Sequence, residues 1–137
     1  MNKPLFDQML KESAMRDWLA FFSDDEKGKY LLHFKAHHIG NPMIRSIHGG
    51  VTASLVEMCA EHMLLEKLGN QAGIQLVSSS LDYLRVSKDA DIHARANIVR
   101  IGKRLAFVDV WCWQDDENTP IARGTCTLRL GSRMDIT

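Results

Sequence analysis

Apolar residues recur at helical spacing between Pro4 and Phe22, at Leu5, Phe6, Met9, Leu10, Met15, Trp18, Leu19 and Phe22. That spacing predicts one or two short amphipathic helices whose apolar side needs a sheet or a partner to cover it. The stretch SDDEKG interrupts the pattern as a turn, and KYLLHFKA then alternates as a strand with Tyr30, Leu32 and Phe34 on one face. A loop through Gly40 and Pro42 follows. From Val51 to Leu68 the chain contains neither Gly nor Pro, and LGNQAG then supplies Gly and Asn stop signals, so one long helix is expected there.

Everything beyond that helix reads as strand. Residues 74–86, 91–101, 105–113 and 120–130 are separated by SKDA, GKR and DDEN, short polar turns that suit antiparallel hairpins. In the last strand Ala122, Gly124, Cys126, Leu128 and Leu130 face one way, and Arg123, Thr125, Thr127 and Arg129 the other. Its small residues let a helix lie close. LAFVDVWCW is apolar on both faces, the mark of a central strand covered on both sides. One long helix wrapped by about five antiparallel strands is an α+β layer arrangement.

Composition narrows the partners. With 137 residues and no internal repeat or linker, the chain reads as a single domain over 1–137. Lys plus Arg and Asp plus Glu number 17 each, with no basic stripe among aromatics, so nucleic acid is not an expected partner. The N-terminus mixes charges into its apolar residues and no segment is long enough to span a bilayer, which predicts a cytoplasmic protein without a membrane partner. Cys59, Cys112 and Cys126 are odd in number and widely spaced, which predicts core thiols in place of a disulfide framework or a zinc site. His33, His37 and His38 lack cysteine or carboxylate partners at ligand spacing, so no metal is expected.

The candidate chemistry lies in NPMIRSIHGGVTASLVEMCAE, residues 41–61. Gly49 and Gly50 sit where the long helix begins, so their N–H groups lack intrahelical partners and their missing side chains open the backbone to a ligand. A helix N-terminus also favours an oxygen that is becoming negative. Together these outline an oxyanion hole; a tight loop-to-helix turn is the plainer reading of the same residues. Further along, Ser54, Glu57 and Glu61 share one helix stripe. Such a stripe either faces solvent, where like charges one turn apart repel by only about 0.2–0.5 kcal/mol, or shares a cleft, where burial and mutual repulsion poise a carboxylate for base or nucleophile work.

Taken with SSSLDYLR and IGKRLAFVDVWCW, this motif resembles the hotdog-fold acyl-CoA thioesterases, the family of the hydroxybenzoyl-CoA and phenylacetyl-CoA thioesterases, over about residues 30–130. The resemblance implies a hotdog fold, a long central helix wrapped by a five- to six-stranded antiparallel sheet, with residues 1–25 as an N-terminal helical extension. It implies hydrolysis of an acyl-CoA thioester without a cofactor, in a homodimer whose sites lie at the subunit interface and which assembles in some relatives into a tetramer. Glu57 then corresponds to the general base or nucleophile, the Gly49 N–H to the oxyanion donor with Gly50 as its aid, His48 to the residue that orients the loop, and Asn41 to an amide that binds water or the thioester. Arg85, Lys103 and Arg104 are the cations expected to meet the CoA phosphates, weighed against ordinary surface charge. Three departures stand out: Asn41 lies one residue farther from His48 than the family amide, Glu61 stands where some members place a hydroxyl, and Ser78, Ser79 and Ser80 fit the register of the family's helper hydroxyl poorly. A hydratase or dehydratase on the same fold and a non-catalytic acyl-CoA-binding module are the rival readings. Met58, His62 and Met63, with Trp18, Phe21 and Phe22, are the candidates for shaping the acyl pocket.

Overall fold

A computed structural model describes residues 14–69 and 72–131. In chain order these form α1 (Ala14–Leu19), β1 (Phe21–Ser23), β2 (Lys29–Leu32), a 3-10 turn (Ala36–His38), β3 (Ile39–Asn41), β4 (Ser46–Ile47), α2 (Gly49–Leu68), β5 (Gln75–Tyr83), β6 (Ile92–Ile101), β7 (Leu105–Trp113) and β8 (Ala122–Arg129). Six strands make one antiparallel sheet in the order β1-β2-β6-β7-β8-β5, and β3 with β4 makes a separate two-stranded ribbon. This is the hotdog arrangement, with α2 packed along the sheet. The expected helix from Pro4 falls largely outside the described residues.

The long helix is apolar on nearly every side. Val51, Leu55, Val56, Cys59, Ala60, Leu64 and Leu65 are all buried, which is how a helix enclosed by its sheet differs from a surface helix with one apolar stripe. Each fully buried Leu contributes about 1.5–3 kcal/mol. The sheet meets it with Ala122, Gly124, Cys126 and Leu128. At Gly124 a methyl group would lie 2.7 Å from Val56 Cγ1, so glycine there sets the closest approach of helix to sheet. β7, apolar on both faces, is central as expected. The three cysteines are free and buried, and burial pushes the Cys112 and Cys126 thiols up to about 12, leaving inert core residues.

The N-terminal pattern is corrected in one place. The helix does not run through Phe22: Ala20 takes a left-handed φ of 55° and sends Phe21–Ser23 into the sheet against β2. Phe21, 2% exposed, stacks on Tyr30 at 5.5 Å. Ladder bonds and that aromatic contact outweigh one more turn of a short helix.

Candidate active site

The turn into α2 is built from both sides. The His48 N–H donates to His38 O at 2.8 Å, and His48 Nδ1 accepts the Gly50 N–H at 2.8 Å as the helix cap. From the sheet, Tyr83 Oη donates to Gly49 O at 2.8 Å. His48 thus ties the start of the helix to the preceding loop. Gly50 is corrected: its N–H is engaged by His48 and is not a second open donor. The Gly49 N–H, in contrast, meets no acceptor among the described residues. It keeps the helix-terminal positive field for something else.

Two turns along α2, Glu57 is partly buried, and its Oε2 accepts Ser79 Oγ–H at 2.7 Å. The solvated reading of this carboxylate therefore fails. Ser79 corrects the sequence reading as well. β5 carries a bulge between Leu76 and Ser78, so two of its residues oppose Thr127, and the side-chain alternation switches. Without the bulge Ser78 and Ser80 would face α2; with it, Ser79 and Leu81 do. Glu61, one turn beyond Glu57, is also partly buried. Desolvation first, and the Glu57 charge second, raise its carboxyl above the ordinary range.

The helix and the strand run antiparallel past each other, with Gly49 beside Tyr83 and Glu57 beside Ser79. Eight helical residues separate the glycine donor from the carboxylate, about 12 Å along the axis at 1.5 Å per residue. Both cannot serve one carbonyl within a single chain.

The remaining candidates scatter. Asn41 is exposed on β3, and its Oδ1 accepts the Met43 N–H at 3.1 Å, closing a local turn. Arg85 follows β5 at the end of the sheet where Tyr83 pairs with Ala122, and its guanidinium donates to Pro120 O. Lys103 and Arg104 lie in the β6–β7 turn, at the opposite end where Leu105 pairs with Arg129. About eight residues of strand, roughly 25 Å, divide them, so one chain does not gather the three cations around one phosphate group. His62, with its Nδ1 at 2.8 Å from the Tyr30 hydroxyl, and Phe21 are nearly fully buried. His62 edges a cleft of about 150 Å³ with Lys29 and Glu66, and Phe21 one of about 370 Å³ with Arg16 and Lys35, and neither cleft has a residue of the Gly49 turn among its described lining residues.

Two clefts flank the Gly49 turn. One, about 380 Å³, is lined by Ser46, Ile47, Tyr83, Arg85 and Ser87 among others. The other, about 530 Å³, lies between α1 and the start of α2.

Comparison with known proteins follows the same outline. The family model of the thioesterase superfamily matches residues 45–121. Acyl-coenzyme A thioesterase 13 of Homo sapiens and that of Pongo abelii are each 30% identical over 106 residues, 77% of this chain and 75% of theirs. Among solved structures, a Haemophilus influenzae thioesterase superposes with a TM-score of 0.82 at 16% identity, over 99% of this chain and 94% of its own. A Bacillus halodurans protein solved with CoA gives a TM-score of 0.77 at 21% identity, over 94% of this chain and 83% of its own.

Proposed function

The chain belongs to the thioesterase superfamily and is a thioester hydrolase, and on that premise we propose that it cleaves acyl-CoA with Glu57 as general base and the Gly49 N–H as oxyanion donor. The acyl-CoA class is supported by the relatives named acyl-coenzyme A thioesterase and by the CoA-containing structural neighbour.

The observation that carries the reading is the pairing of Glu57 with Ser79 at 2.7 Å on a partly buried face of the helix that begins, two turns earlier, with the open Gly49 donor. A second copy resolves the distance. β5 is a nine-residue strand at the edge of the sheet, with Val77 58% exposed and Tyr83 57% exposed. Such an edge invites pairing with its own kind. A two-fold contact there brings one protomer's Glu57 toward the other's Gly49, so the homodimer holds two shared sites. Tetramers follow as pairs of such dimers.

In the cycle, the thioester oxygen rests on the Gly49 N–H of one protomer. Water held by Glu57 of the other adds to the carbonyl carbon while the carboxylate takes its proton. The C–S bond then breaks, the CoA sulfur recovers that proton, and the free acid remains. Glu57 attacking directly is the variant of the same scheme in which an anhydride forms first and water releases it. Ser79 fixes the carboxylate's rotamer as a positioning residue. Arg85, at the cleft beside Tyr83, and Lys103 and Arg104 of the neighbouring copy are the cations offered to the CoA phosphates. Asn41 serves only if its turn opens. The scheme asks for no metal or redox group, and three buried free thiols suit a reducing compartment such as the cytoplasm.

The test is thiol release from acyl-CoA by the wild type and by Glu57→Gln. Turnover falls at least about a hundredfold in the variant, the scale of positioned acid–base catalysis, with binding retained. Altered acyl-CoA without free thiol would indicate hydration instead, and CoA-ester binding with no turnover in the wild type a sensor.

A further inference from the structure

The 530 Å³ cleft against the start of α2 has a composition unlike its neighbour across the turn. Ala14, Met15 and Trp18 of α1 form one wall, and His48 with Gly50, Val51 and Ser54 of α2 the other, with no carboxylate or guanidinium among the described lining residues. Met15 is 48% exposed and Trp18 45% exposed, so large apolar side chains stand open toward the space. Its volume falls within the range of small-molecule sites, about 300–1,000 Å³. The wall is held in place: His37 Nε2 and His38 Nε2 both donate to Trp18 O, the latter at 2.8 Å, and the Trp18 ring packs on those of His37 at 4.7 Å and His38 at 5.3 Å.

The position matters as much as the composition. Gly49 separates this cleft from the one that carries Arg85 and Ser87. A thioester seated on the Gly49 N–H therefore has a charged side and an apolar side to fill. The polar nucleotide belongs with the arginine, and the hydrocarbon belongs with Trp18. Moreover, α1 lies outside residues 45–121, the part matched by the family model, so this wall is supplied by the chain's own N-terminal segment.

We propose that the cleft between α1 and the first turns of α2 is the acyl site, and that it selects straight apolar acyl chains of medium length over acetyl, with Trp18, Met15 and Ser54 as the specificity-determining residues. The inference rests on the hydrolase reading above. The lining residues run from 14 to 18 on α1 and from 50 to 54 on α2, four residue steps or about 6 Å of each helix, which gives the chain a run of methylenes to bury. Each methylene buried raises kcat/KM roughly fourfold, the factor that corresponds to its transfer from water.

The experiment is a thiol-release series with acetyl-, butyryl-, hexanoyl- and octanoyl-CoA on the full chain, using wild type, Ser54→Leu, which fills the cleft from α2, and Trp18→Ala, which removes the opposite wall. Far-UV circular dichroism and oligomeric state serve as folding controls. In the wild type kcat/KM climbs from acetyl to octanoyl, and in both variants the octanoyl-to-acetyl ratio drops at least about tenfold, the discrimination one or two methylene contacts supply. Should one variant not fold, the other still reads the same ratio. Turnover with a flat chain-length profile, or ratios that neither variant changes, overturns the acyl site alone. No thiol release from any of the four overturns the hydrolase reading and the acyl site with it.

Discussion

Replacing Gly49 by proline removes one N–H and leaves the backbone turn otherwise able to form. Gly49 is the first residue of α2, where proline's fixed φ suits the helix and the absent N–H had no intrahelical acceptor. The residue before it, His48, already has φ −59° and ψ 134°, the extended conformation that a following proline requires. A Cβ at position 49 meets the Tyr83 hydroxyl at 3.4 Å, ordinary contact, and the Gly49 carbonyl that Tyr83 binds is retained. Folding should therefore be unharmed or gain about 0.4–1 kcal/mol from the stiffer unfolded chain. Turnover should fall about 10²–10³-fold, the loss typical of deleting one oxyanion donor. Gly49→Ala, which keeps the N–H, should lose far less. The assay is kcat/KM by thiol release, alongside urea unfolding. Mixing unfolded Gly49→Pro and Glu57→Gln chains and refolding them together should restore roughly a quarter of wild-type activity, because half of the dimers then contain one intact shared site. Full activity in folded Gly49→Pro would refute the donor assignment, and a mixture that stays inactive would refute the shared site.

Ser79→Ala should lower kcat about tenfold to a hundredfold with little change in KM, the worth of a hydrogen bond to a charged group, and should cost nothing further in a Glu57→Gln background. An equal loss in both backgrounds would mean that Ser79 does not act through Glu57. Glu61, whose carboxyl is raised above 4.5, binds its proton more tightly folded than unfolded, so the stability it lends is present at acid pH and lost as pH rises through its folded value. Glu61→Gln should accordingly gain on the wild type in urea unfolding as pH goes from 4.5 toward neutral, at fixed protein concentration, and a pH-independent difference would exclude that coupling.

Most of the architecture was legible because it is local. The Gly- and Pro-free run from Val51 to Leu68, the Gly stop after it and the alternation of Ala122, Gly124, Cys126 and Leu128 are statements about neighbours in sequence, and helix and strand periods follow from neighbours. His-Gly-Gly with Glu57 two turns on was legible for the same reason. Tertiary structure decided the rest. Phe22 carries helical spacing, but the β2 ladder, with Phe21 stacked on Tyr30 beside it, claims that segment for the sheet. Ser79 faces Glu57 because of a bulge that no period reveals, since one extra residue shifts every later side chain to the other face. The separation of Arg85 from Lys103 and Arg104 depends on strand register, and the distance from Gly49 to Glu57 on the straightness of α2, so whether residues share a site is a question of packing across the chain and not of spacing along it.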